Sequence, residues 1–165
     1  KTKKSIKMKK LFYLLFACSF LFISCEEEED PFSPSSSFRC KIDGEQLSDS
    51  SPSANIITTN PALNGALEIE GVSNLGATVM NEVVLIVFNF SSVSENTPVY
   101  LSTGAGKVWK GADEYVTLDP NFIGTLQFSK ITANKVSGTF NFDAYNSENS
   151  TQVVVTEGSF TNISY

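Results

Sequence analysis

An all-β fold, one antiparallel β-sandwich or β-barrel domain, is what this chain predicts. Apolar residues recur at every second position over short runs from Phe38 onward. Clusters of Gly, Asn, Asp-Pro and Ser interrupt those runs at the spacing of a sandwich or barrel, and no stretch of the domain has helical periodicity.

Phe38-Arg-Cys-Lys-Ile42 alternates apolar and polar residues, Asp43-Gly44 is a hairpin turn pair, and Glu45 to Leu47 begins the return strand. Residues 54–58 and 67–72 are predicted as strands, separated by the turn chemistry of Asn60-Pro61 and Asn64-Gly65. The run from Glu82 to Phe90 is the most apolar of the chain, and both its faces are apolar. Its β-branched residues and flanking Asn and Ser make it a central strand covered on each side rather than a buried helix. Residues 99–101, 115–118, 125–131, 136–145 and 152–165 complete the set.

Ile131 to Val136 joins two of these strands as a hairpin. In that pair Leu126 and Phe128 share a layer with Phe140, Phe142 and Ala144, while Thr139, Asn141 and Asp143 point to water. In the last strand Val153 and Val155 hold one parity and Phe160 the other, so a β-bulge is expected at Gly158. The architecture is either a two-layer sandwich or a lipocalin-like barrel. Residues 38–165 have the length of one domain with one core.

The residues before the domain carry an address. Six lysines in the first ten residues precede an apolar run of 13 from Leu11 to Ile23, then Ser24-Cys25 and an acid block from Glu26 to Asp30. A basic segment, a short apolar segment and small residues at a cleavage point make a secretory signal. A membrane-spanning helix needs about 20 apolar residues, which this run does not supply. Residues 1–24 are therefore expected to be a signal peptide, with Met8 as the natural start. Residues 25–37, acidic and then rich in Pro and Ser, form a flexible tether, whose extended reach is about 45 Å.

Leu21-Phe22-Ile23-Ser24-Cys25 resembles the lipobox read by lipoprotein signal peptidase, in the looser form of Bacteroidetes-type bacteria, where Phe22 stands for the usual Leu. The resemblance implies lipid attachment at Cys25, so that acyl chains link the protein to the membrane. The block Glu26 to Asp30 is similar to the signal that sends such lipoproteins to the outer face of the outer membrane; a solvated, self-repelling tether is the plainer reading. The implied location is the outer membrane, at the cell surface, with a periplasm-facing anchor as the alternative. Phe38-Arg-Cys-Lys-Ile-Asp-Gly44, Val136-Ser-Gly-Thr-Phe-Asn-Phe142 and Val154-Val-Thr-Glu-Gly-Ser-Phe160 resemble a set of Bacteroidetes lipoprotein domains of unknown function. That resemblance implies no catalytic residues.

Charge and composition exclude several function classes. Six of the 12 basic residues precede Cys25 and all 18 acids follow it, so the chain from Cys25 carries 6 − 18 = −12. Such a field repels phosphate backbones and argues against nucleic-acid partners. With no histidine, Ser-His-Asp and Cys-His nucleophiles are excluded and the usual zinc, copper and iron ligands are missing. Cys18 falls in the signal and Cys25 at the lipid, leaving Cys40 without an intramolecular disulfide partner; its alternation with Phe38 and Ile42 places it on a buried strand face.

Trp109, between Gly104-Ala-Gly106 and Gly111, is the candidate ligand-binding residue: a loop aromatic suited to stacking on a sugar ring, or else a plug at one end of the barrel. Asp113, Glu114 and Asp119 form a poorly spaced oxygen-ligand set for calcium, and Glu68 and Glu70 share one strand face. Asn89, Asn149 and Asn162 head glycosylation tripeptides that a bacterial lipoprotein rarely uses. No metal or cofactor is expected. The function predicted is a non-enzymatic binding or scaffold module at the envelope, with a protein or glycan partner. The alternatives are carriage of a small apolar ligand in a barrel cavity and, third, a carboxylate-based glycan hydrolase.

Overall fold

The structure, a computed structural model, describes residues 35–74 and 80–165. Among these residues lie eleven strands: β1 (Ser37–Ile42), β2 (Glu45–Asp49), β3 (Ser53–Ile56), β4 (Leu67–Asn74), β5 (Met80–Val87), β6 (Pro98–Leu101), β7 (Gly106–Lys110), β8 (Asp113–Val116), β9 (Gly124–Ile131), β10 (Lys135–Asn146) and β11 (Thr151–Ser164). They form one antiparallel sheet in the order β2-β1-β11-β10-β8-β7-β5-β4-β3, curled into a half-barrel. The far edge of β10 is shared. Its first half, Val136 to Phe142, pairs with β9, and beyond it at Tyr145 it pairs with Val116 of β8. β6 closes the β9 side. The all-β expectation is met.

The strands form where alternation and turn chemistry agree. Asp43 and Gly44 take positive φ of 51° and 86°, the left-handed pair that a two-residue hairpin turn requires. The turn is also tied down, because the Asp43 carboxylate accepts the Val154 amide at 2.9 Å and the Lys110 ammonium at 2.9 Å. β5 is central and covered on both faces, as its apolar run demands. Val83, Leu85 and Val87 enter the main core, while Val84 and Ile86 join Ala66 in a small cluster on the convex side, packed under Ile57, Leu63 and Trp109. The strand ends at Val87 rather than Phe90, because Asn89 turns the chain at φ 52° into a 3-10 turn (Phe90–Ser92) that drops Phe90 into the core.

The bulge expected at Gly158 lies just before it, at Thr156 and Glu157, and a second follows. Asn141 faces both Thr156 and Glu157, and Ser137 faces both Thr161 and Asn162, with Glu157 and Asn162 in positive φ. Each extra residue shifts the parity, so that Val153, Val155, Gly158, Phe160 and Ile163 all face inward along a strand of 14 residues.

Phenylalanine rings fill the concave side. Phe38 lies 5.1 Å from Phe140, Phe128 meets Phe160 edge-on at 5.7 Å, and Phe90 contacts both Phe128 and Tyr165. Each fully buried ring contributes about 1.5–3 kcal/mol. Two glycines make room for them: a Cβ on Gly71 would sit 2.1 Å from the Phe38 ring, and one on Gly158 would sit 2.6 Å from the ring of Phe140.

Candidate functional site

Sequence reasoning placed Trp109 in a loop, and the structure places it on β7. Gly111, at φ 65°, and Ala112 turn β7 directly into β8, so Val108 and Tyr115 pair inward while Trp109 and Glu114 pair on the convex face. The strand was illegible because only Lys107, Val108 and Trp109 alternate between two glycine-bounded turns. Trp109 is half-buried. It packs against the small cluster of Val84 and Ile86 on the convex face and lines a groove of about 320 Å³.

Asp113 and Glu114 border that groove on the β8 side, and Tyr145 and Glu148 border it from β10 and the turn that follows. Tyr145 enters through its pairing with Val116, 29 residues earlier in the chain. Nothing local in the sequence announces this. The Tyr145 ring is held by Phe122, stacked at 4.8 Å and 15°. Asn146 is buried, and its side-chain oxygen accepts the amides of Glu148 at 2.8 Å and Asn149 at 3.2 Å. That cap sets the path of the turn bearing Glu148 beside the groove.

Lys107 lies 5.7 Å from the centroid of the Trp109 ring, within cation–π range, and 3.9 Å from the Glu114 carboxylate. Its ammonium sits over the indole ring without Lys107 itself lining the groove. The groove therefore offers two aromatic rings and several carboxylate oxygens, a combination that stacks flat rings and accepts hydroxyl protons.

The other candidates fall elsewhere. Among the described residues no three His, Cys, Asp or Glu side chains gather as a metal-ligand set, so Asp113, Glu114 and Asp119 do not assemble the calcium site considered from sequence. Glu68 and Glu70 do share the convex face of β4, where Ser53 donates to Glu70 at 3.1 Å. Burial, and then the charges of Glu70 and Glu68, raise the carboxyl of Glu82 above the ordinary glutamate range. Asn89 heads the 3-10 turn, Asn149 accepts the Thr151 amide at 3.1 Å, and Asn162 is a bulge residue. Those asparagines serve the backbone. Cys40 is buried, and desolvation pushes its thiol up to about 12. Cys25, the signal and the acid block lie outside the described residues.

A second groove, of about 470 Å³, opens on the convex face of β9, β10 and β11. Thr125, Gln127, Thr139, Asn141, Glu157 and Ser159 line it. Alternation along β10 puts Thr139 and Asn141 on the solvent side and gives no sign of a groove there. In comparisons with models of known families, with curated proteins and with solved structures, the chain matches none.

Proposed function

We propose that the protein is an envelope lipoprotein whose β domain is a non-enzymatic glycan-binding module, with Trp109 as its principal platform. The observation that carries this reading is the convergence of Trp109 and Tyr145 on one open groove edged by Asp113, Glu114 and Glu148. Sugars combine apolar ring faces with hydroxyls that donate and accept, and such a groove meets both demands. The concave side is occupied by phenylalanine rings in mutual contact, which favours a ligand on the outside of the half-barrel over one carried within it.

The anchor in this reading is Cys25, acylated at the outer membrane with the domain at the cell surface. The proposal for the anchor rests on the N-terminal sequence. It is tested by fractionation and protease accessibility on intact cells, comparing the natural chain with Cys25→Ala and with the Glu26 to Asp30 block neutralised. Release by Cys25→Ala and surface digestion abolished by neutralisation are expected; full protection of the natural chain would make the domain periplasm-facing.

The binding role is tested by affinity electrophoresis through soluble β-1,4-glucan, β-1,4-xylan, β-1,4-mannan and α-1,4-glucan. Retardation by at least one polysaccharide, lost in Trp109→Ala, is expected. Retardation unaffected by that substitution, or none with any polysaccharide, would overturn it. Reducing ends released during the same incubation would show a hydrolase built on the groove carboxylates instead.

A further inference from the structure

The two grooves share a strand. On β10 the outward residues Thr139 and Asn141 line the larger groove and Tyr145 lines the Trp109 groove, with Asp143 between them. We propose that the two grooves are the ends of one track, and that its ligand is an extended, uncharged oligosaccharide running along the convex face of β10. This inference rests on the glycan reading of the Trp109 groove and adds the class and length of the chain. From Thr139 to Tyr145 is six residues of strand, about 20 Å, the length of several pyranose rings.

At the Thr139 end of the track the chemistry is that of a neutral polyol. In register across the sheet, Gln127, Thr139 and Ser159 form one row and Thr125 and Asn141 another. All are uncharged donors and acceptors. The side chains of Gln127, Thr139 and Ser159 hydrogen-bond to no other described residue, and Thr125 and Asn141 meet each other at only 3.5 Å. The charge at this end, Glu157, is taken up by Lys41 at 2.7 Å. A row of amides and hydroxyls with spare capacity matches a ligand whose every hydroxyl both donates and accepts. An anionic chain would instead require cations, and no Lys or Arg lines either groove.

Tyr100 extends the surface laterally. It is 75% exposed on β6 and pairs with Thr125, so it stands on the convex side beside the neutral rows. An aromatic ring so exposed on an edge strand leaves apolar area in water, and a sugar face would cover it.

The test compares di- and hexasaccharides of the four glycans above, by calorimetry, on the natural domain, on Gln127→Ala/Asn141→Ala and on Trp109→Ala. For the glycan that binds, the natural protein is expected to hold the hexasaccharide at least about tenfold tighter than the disaccharide. The double variant, changed at two exposed positions, is expected to bring the hexasaccharide close to the disaccharide while leaving the disaccharide unchanged. If the double variant leaves the hexasaccharide affinity intact while Trp109→Ala weakens both, the Trp109 groove stands and the track is wrong. If Trp109→Ala changes neither, the glycan reading itself fails. Binding abolished by 0.5 M salt and shown instead by polylysine would identify a cationic peptide ligand and overturn the proposal, since a neutral chain binds without screening.

Discussion

The ring of Phe122 lies flat on that of Tyr145, with centroids 4.8 Å apart and planes 15° apart. Phe122 belongs to the short connection between β8 and β9, where its amide and that of Leu118 close a bridge. It does not line the Trp109 groove, so its stacking reaches the groove only through Tyr145.

Replacing Phe122 with Ala is therefore expected to weaken polysaccharide binding without removing a groove residue. Aromatic pairs of this kind are worth about 0.5–1.5 kcal/mol, so a loss of roughly two- to tenfold in affinity is expected. Phe122→Tyr, which keeps the ring, should restore it. Affinity electrophoresis of the two variants beside the natural protein checks this.

Gly71→Ala should destabilise the domain strongly. Its Cβ would meet the Phe38 ring at 2.1 Å, and overpacking of a filled core costs about 1–3 kcal/mol. Urea unfolding should show a lower midpoint with the same slope, and adding Phe38→Leu should recover part of the loss.

The tie between Asp43 and Lys110 gives a pH dependence. The hydrogen bond to Asp43, outweighing burial, raises the Lys110 ammonium above the ordinary lysine range. A value raised in the folded state means that the stabilisation is complete below the unfolded value of about 10.4 and disappears as pH rises through the folded one. Because both side chains are about a third exposed, at 34% and 38%, the pair is worth no more than about 1 kcal/mol. A double-mutant cycle on Asp43→Asn and Lys110→Met should give that coupling at pH 8 and a diminishing one as pH rises above about 10.4.

Cys40 should be silent in the folded protein. With the thiol buried and pushed up to about 12, a thiol reagent at pH 8 is expected to react only as fast as the domain opens, and fully in denaturant. Fast stoichiometric labelling under native conditions would contradict the burial.

How much was legible in the sequence follows from the range of each interaction. The β1–β2 hairpin, the two-sided strand β5 and the bulge before Gly158 are written locally, in Asp43-Gly44, in the run Val83 to Val87 and in the parity change from Val155 to Phe160. β7 was missed because Trp109 sits in a short segment flanked by glycines, where turn chemistry outweighs three alternating residues. Trp109 was nevertheless singled out, since its ring chemistry does not depend on whether a strand or a loop holds it. Tyr145 and Glu148 were not, because their place beside Trp109 depends on β10 being shared between β9 and β8. That division is set by tertiary pairing and leaves no periodic trace. The second groove escaped for a related reason: Thr, Gln, Asn and Ser on alternate positions read as the solvent side of any half-buried sheet.

The chain contains a single tryptophan, so its intrinsic emission reports on Trp109 alone. Fluorescence titration with the polysaccharide that retards the protein is the most direct measurement of the central claim. A saturable blue shift or quench, with a midpoint matching the electrophoretic affinity, is the predicted result, because a stacked sugar removes water from the indole. An emission spectrum unmoved at saturating polysaccharide would place the bound chain away from Trp109 and contradict the account.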